Sequence, residues 1–349
     1  MSEPLQGLQG LGLSPQQRRL WAVQGESPHL RSRAAVLVSG ELPPDLLREA
    51  WAAVVARHEI LRTTFRRAPG IKLPVQVIAG EAAAAAATVE CVPLAGRGVE
   101  EAVAALWAAA EGRTVDLGRG PLVSLSLATL SPGEHLLLLD IPALCADRVA
   151  IESLVRQIGR ASAGRLDAEP PLQYGDLSQW LNDLLEAEET EPGRAYWQGL
   201  DLGSLTASRL PGARRPVRGA GFSPRRIGWR IAPEVTARIG AGSAAHEVPP
   251  SAFLLACWCV LLGRLTGQPE VIVGVGSDGR RYEEIAEAVG LFARFLPLSC
   301  RLQAGDRLVD VARRIEEGRQ ESLLWQEAFD LAPPPEADDE CGRWPFGFE

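Results

Sequence analysis

Apolar positions along this chain fall into alternating helical and extended runs. Ser14 followed by Pro15 reads as an N-cap with proline at the first helical position, opening a helix over Gln16 to Gln24. A strand is expected at Ala34 to Val38, after which Leu46, Leu47, Ala50, Trp51, Val54 and Val55 share one helical face. Further strands are expected at Thr63 to Arg66, Val75 to Ile78, Val123 to Leu130 and His135 to Ile141. Val103, Leu106, Trp107 and Ala110 mark one helix between them, and Val149, Leu154, Val155 and Ile158 mark another.

The stretch Ala161 to Tyr174, with Ser, Gly and a Pro pair, breaks this series and sets an expected lobe boundary, 1–170 against 171–349. The second half repeats the theme with a helix over Leu177 to Ala187, a strand over Ile227 to Ile231 and a nearly all-apolar, hence buried, helix over Ser251 to Leu265. Strands at Val271 to Val275 and Phe295 to Arg301 follow. Strands alternating with helices throughout define an α/β fold. Two lobes of like composition fit a pseudo-duplicated architecture, although no residue-level repeat links them. The Ala82 to Ala87 tract and the Pro333 to Glu340 stretch read as surface connections.

Composition narrows the function classes. The 349 residues are 46% apolar and 23% charged, the balance of a soluble globular protein. Thirty-six basic residues against 44 acidic ones give a net charge of -8, which argues against a general nucleic-acid binder. Met1-Ser-Glu-Pro lacks the basic and apolar regions of a secretory signal, and no apolar run approaches membrane-spanning length, so a cytoplasmic protein with no membrane partner is expected. The six cysteines sit scattered in apolar contexts and are expected as reduced thiols. Cys257-x-Cys259 lies in a helical run without a third or fourth ligand nearby, so core packing is favoured there and no metal site is expected.

Two segments carry a family likeness. Leu13-Ser-Pro-Gln-Gln-Arg-Arg-Leu-Trp21 resembles the signature LSxAQxRLW, with Gln16 where alanine is usual, and Arg57-His-Glu-Ile-Leu-Arg-Thr-Thr-Phe65 matches RHExLRTxF at every specified position. Tyr196-Trp197 with Leu210-Pro211, Ser251 to Gly267 with Val273-Gly274 and Gly279-Arg280, and Val289-Gly-Leu-Phe292 with Leu296-Pro297-Leu298 are similar to later signatures in order and spacing. Together they resemble the condensation domains of nonribosomal peptide synthetases over roughly residues 13 to 330. The resemblance implies two chloramphenicol-acetyltransferase-like lobes in a V around a central tunnel. The chain, ending at Pro345-Phe-Gly-Phe-Glu349, is expected to hold an incomplete second lobe and to be a fragment of a larger synthetase.

The likeness breaks at the family's catalytic motif, HHxxxDG. Aligned on strand and helix, the stretch here is Pro142-Ala-Leu-Cys-Ala-Asp-Arg148, with Pro142 and Ala143 in place of the histidines and Arg148 in place of glycine. An alanine neither accepts nor orients a proton, so catalysis by that residue is excluded and the catalytic group is left unknown. The DxxxxD of heterocyclisation domains is absent as well, because its first position is Pro142. Arg294 and Phe295 stand where the later signature has Asn and Thr. The resemblance further implies a buried ion pair between Arg62 and the surviving Asp147; the tunnel is expected to be lined near Ala143 by apolar and cysteine side chains, with Arg148 or Arg294 as the nearest strong donors.

Remaining signals are weaker. Gly274-Val-Gly-Ser-Asp-Gly279 fits a dinucleotide-binding GxGxxG, but no immediate helix follows to hold a pyrophosphate, and the family's VGxxxxGR turn explains it better. Cys145 as a nucleophile lacks an activating base, so a small buried hydrophobe is favoured. The basic loop with Arg214, Arg215, Arg218, Arg225 and Arg226 reads either as a surface for an acidic carrier protein or as a solvated loop. Three function classes follow. The first is a platform inactive in peptide-bond formation that binds carrier proteins, neighbouring synthetase domains or a tailoring enzyme. The second is an unorthodox enzyme joining or modifying carrier-bound thioesters without histidine, and the third a free-standing acyltransferase on a soluble acyl thioester. No bound cofactor is expected, substrates being carried on the carrier's phosphopantetheine.

Overall fold

A computed structural model describes residues 10–24, 30–67, 70–71, 73–200, 210–213, 227–330 and 345–349. The chain separates into two compact units, one of residues 1–183 with Arg280–Ala293 and one of residues 184–279 with 294–349.

In chain order the first unit holds α1 (Pro15–Gln24), β1 (Arg31–Ser39), α2 (Pro44–Arg57), β2 (Thr63–Arg66), β3 (Val75–Ile78), β4 (Val89–Val92), α3 (Val99–Glu111), β5 (Ser124–Ser131), β6 (Glu134–Pro142), α4 (Arg148–Ser162) and most of α5 (Tyr174–Glu186). A four-stranded sheet runs in the order β1-β6-β5-β4, antiparallel except for the β4–β5 pair, and β2 and β3 form a separate antiparallel ribbon. β6 is apolar at successive positions because helices cover both its faces. Leu136 and Leu138 pack in a core with Ala102, Leu106 and Ala110 of α3, whereas Leu137, Leu139 and Ile141 join Leu47, Trp51 and Val54 of α2 and Leu154 of α4. The helix opening at Pro15 is closed by a reciprocal cap: Ser14 Oγ accepts from the Gln17 amide at 3.1 Å and Gln17 Oε1 from the Ser14 amide at 3.0 Å.

The second unit holds the end of α5, α6 (Glu191–Gln198), α7 (Pro233–Ala245), α8 (Pro250–Thr266), β7 (Glu270–Ser277), β8 (Arg294–Arg301), α9 (Leu308–Leu324) and β9 (Gly347–Phe348), with β7 between antiparallel β8 and parallel β9. Its core joins Leu255, Ala256, Cys259 and Leu262 of α8 to Val271 and Val273 of β7 and Ala312 and Ile315 of α9. Among the described residues no single helix is long and apolar enough to cross a membrane.

Several expectations are corrected here. The division falls inside α5 rather than near residue 170, because α5 is anchored on the first unit: Ser178 Oγ donates to the Gly12 carbonyl and Asn182 Nδ2 to that of Leu13. The segment Arg280–Ala293 also returns to that unit. The alanine tract is a short helix, Glu81–Ala86, whose Ala84 and the following Ala87 lie in the core, so it packs rather than merely connects. α8 buries only one side, Leu261 and Leu265 being 47% and 46% exposed. No strand forms over 227–231, where Ile227 and Trp229 are exposed and no neighbouring strand among the described residues offers a ladder. Pro333 to Glu340 lies outside the described residues.

Candidate functional site

The segment Pro142 to Arg148 leaves β6, turns, and caps α4. Its backbone is held from several directions: the Ala143 amide donates to the Leu30 carbonyl, Gln17 Nε2 donates to the Leu144 carbonyl at 2.9 Å, and Ser32 Oγ donates to that of Ala146 at 2.6 Å. Gln17 is completely buried and also donates to Gln76 Oε1, so the first signature's glutamine braces this turn rather than a helix surface.

Asp147 is the hub. Its Oδ1 accepts from the Ala150 amide at 2.9 Å, satisfying an orphan donor of α4 as an N-cap. Arg280 closes a fork on it, Nη1 to Oδ2 at 2.7 Å and Nη2 to Oδ1 at 2.8 Å, and the amides of Phe292 and Ala293 add bonds to Oδ2 at 2.9 and 3.0 Å. The two side chains are only 2% and 3% exposed. A carboxylate taken from water into such a place is stable only when its lone pairs are filled, and five N–H donors fill them. Arg280 also donates to the Ala288 carbonyl and lies over the Phe292 ring, 4.6 Å from its centroid.

The expected Arg62–Asp147 pair is therefore wrong. Arg62 closes the turn after α2, where its Nη1 donates to the Ala79 carbonyl and its Nη2 lies 3.6 Å from Glu59. The true partner, Arg280, belongs to the Gly279-Arg280 turn, whose sequence carries a family likeness but no sign of its contact. That turn follows β7, and no α-helix begins directly after it among the described residues.

Val289-Gly-Leu-Phe292 completes the site from the same returning segment. Tyr174 donates its hydroxyl to the Leu291 carbonyl at 2.7 Å, bonds with Ser14 Oγ at 2.8 Å, and meets Phe292 edge to face at 5.2 Å. Gly290 is required by this packing: a Cβ there would sit 1.9 Å from Tyr174 Cδ2. Its carbonyl accepts from the Asp147 amide.

Ala143 is half-buried and offers only a methyl group. Cys145 is wholly buried, and burial pushes its thiol up to about 12, so no thiolate is available at neutral pH. Arg148 points to solvent and pairs with Glu152 at 2.7 Å, which makes it a helix-surface residue. Arg294 belongs to the second unit and donates to the Gln326 carbonyl at 2.5 Å. His58 sits beside Gln157 of α4, 2.7 Å from its Oε1, and burial lowers it from 6.5 to about 4, so it is a neutral packing group. Arg214, Arg215 and Arg218, with Arg225 and Arg226, lie outside the described residues.

A two-unit α/β chain with helices covering a mostly antiparallel sheet, a capped carboxylate hub and a returning VGLF segment defines a class, and comparison supplies its family. The condensation-domain profile matches residues 9–327, so the chain belongs to the condensation-domain family found in nonribosomal peptide synthetases. It is 29% identical over 287 residues to tyrocidine synthase 2 of Brevibacillus parabrevis, an overlap that takes in 82% of this chain but only 8% of that protein. The first condensation domain of the calcium-dependent antibiotic synthetase, solved with a substrate analogue, superposes with a TM-score of 0.76 at 21% identity, over 92% of this chain and 76% of that one. The complex of the X-domain and OxyB from teicoplanin biosynthesis offers a further match, with a TM-score of 0.72 at 23% identity, over 94% of this chain and 72% of its counterpart. These likenesses bear out the family expected from the sequence and the chloramphenicol-acetyltransferase-like fold.

Proposed function

We propose that this chain is a condensation-type platform that does not form peptide bonds, in which Pro142 and Ala143 stand where the family carries its histidines. The observation that carries the reading is the inventory of the Pro142 to Arg148 turn. Its one thiol is buried and protonated, its one carboxylate is saturated by five donors, and its arginine faces solvent beside Glu152. General acid–base work needs a group that can exchange a proton within reach of substrate, and none of these can. What is retained is the scaffold, fit to bind carrier proteins bearing phosphopantetheine or to recruit a tailoring enzyme. The X-domain solved with OxyB is a neighbour in fold that supports the second possibility.

The test offers the purified chain donor and acceptor carriers loaded with aminoacyl thioesters. The expected yield of dipeptidyl thioester equals that of a buffer control, while phosphopantetheinylated carrier binds with micromolar affinity that weakens with salt. Turnover abolished by substitution within 142–148 would establish the unorthodox enzyme instead. Absence of association with every carrier and tailoring enzyme of its own pathway would remove the platform. Neutralising Arg214, Arg215 and Arg218 together is expected to weaken carrier binding, and equal affinity would take the basic loop out of the interface.

A further inference from the structure

The first unit contains a pocket of about 310 Å³ that lies apart from the Asp147 hub. Its walls come from Val55 of α2, Leu61, Val77 of β3, the alanine helix through Ala83, Ala86 and Ala87, and Leu122. The polar part is contributed by Arg62, Thr63, Thr64 and Arg66, and no acidic residue lines the pocket. Its size stands at the lower end for small-molecule sites, which are commonly mostly apolar with a few convergent polar groups.

Arg62 is the informative member. Its side chain is 9% exposed, yet Nε has no hydrogen-bond acceptor among the described residues. Nη1 is committed to the Ala79 carbonyl, while Nη2 faces Glu59 at 3.6 Å, beyond hydrogen-bond range. The Nε–Nη2 edge of a guanidinium is one that accepts a carboxylate through two parallel bonds. A buried donor left unfilled is costly, so an oxygen anion is the natural complement of this edge. Thr64 Oγ1 is 3.4 Å from the Val77 carbonyl, a long bond that leaves its hydroxyl able to turn to another acceptor. Arg66, exposed on the same pocket wall, adds a second positive charge that favours anions.

We propose that this pocket binds a small monocarboxylate with a short apolar body, the carboxylate on Arg62 and the body against the alanine helix and Leu122. A phosphate would seat its head equally well but would leave the apolar walls unfilled. The pocket is independent of thioester chemistry, so its occupancy stands or falls apart from the platform reading.

Hexanoate is the probe, with hexanol and hexylamine as controls matched in chain length, titrated calorimetrically into the full chain at fixed ionic strength. Hexanoate is expected to bind at least about tenfold more tightly than either control, a discrimination of roughly 1.4 kcal/mol. Ala83→Phe fills the pocket from its half-buried wall and is expected to abolish hexanoate binding while leaving the circular-dichroism spectrum intact. Arg62→Gln, if folded, is expected to bind hexanoate and hexanol alike. Hexanol binding as tightly as hexanoate to the parent chain would overturn the assignment of Arg62. Undiminished binding to a folded Ala83→Phe variant would place the ligand elsewhere and overturn the pocket, as would no binding of any probe.

Discussion

Substituting Asp147 by alanine removes the group on which three parts of the first unit converge. The change breaks the fork with Arg280, uncaps α4 at Ala150, and strands the amides of Phe292 and Ala293. Removing one partner of a buried ion pair costs roughly 3–5 kcal/mol because the other charge stays buried. A lost N-cap alone costs about 1 kcal/mol, and each stranded buried donor about 1–3 kcal/mol, so the upper part of the ion-pair range is expected even after local relaxation. Against a typical domain stability of about 5–15 kcal/mol that is a large fraction. Arg280→Met should cost less, roughly 2–3 kcal/mol, because Asp147 keeps its three backbone donors. The measurement is urea unfolding followed in parallel by circular dichroism and by the fluorescence of the nine tryptophans, since two units need not unfold in one step. A double-mutant cycle of Asp147→Ala with Arg280→Met is expected to show strong coupling, and a cycle with Arg62→Met none. An Asp147→Ala protein within about 0.5 kcal/mol of the parent would refute this account, as would coupling to Arg62 equal to that with Arg280.

Three further outcomes are expected. Because burial lowers the His58 pKa from 6.5 to about 4, the folded state takes up its proton later than the unfolded chain. The stability it contributes is then complete above pH 6.5 and is lost as pH falls through 4, on the order of 3 kcal/mol in all; His58→Gln should flatten urea midpoints across that window, and an unchanged slope would count against it. Gly290→Ala forces a methyl group into the Tyr174 ring, with an overpacking cost of roughly 1–3 kcal/mol or more, and a melting temperature equal to the parent's would disprove the close approach. Iodoacetamide at neutral pH should modify the exposed Cys91 and Cys257 in the native protein and reach Cys145 only after denaturant, as peptide mass mapping would show.

The elements legible in the sequence were those fixed by their own neighbours. β2 and β3 fall where their apolar and β-branched runs put them, and α1 starts at its Ser-Pro signal because capping is a four-residue event. The short β4, half-exposed and next to the alanine helix, carries too little alternation to be seen. The alanine tract shows the converse: small side chains read as a linker, yet smallness lets Ala84 and Ala87 approach the core. At the site, sequence identified Asp147 and its structural role but not its partner. Arg62 and Arg280 both sit in recognised signatures, and only the return of Arg280–Ala293 to the first unit separates them. That return is a tertiary fact, invisible to periodicity. The strand expected at Ile227 has pattern without a neighbouring strand to complete it, and strand formation needs both.

The returning segment also sets a timetable for the chain's birth. Asp147 and Arg280 are 133 residues apart, so at about 5–20 residues per second the carboxylate leaves the ribosome on the order of ten seconds before its cation is synthesised. Through that interval the capped end of α4 has its backbone cap but not its counter-charge, and Tyr174 lacks the Gly290–Phe292 surface it packs on. The first unit cannot complete these contacts until that late segment is made. For the same reason a polypeptide stopped at residue 183 is expected to be an unfinished unit, because it lacks the Arg280–Ala293 segment that packs on it.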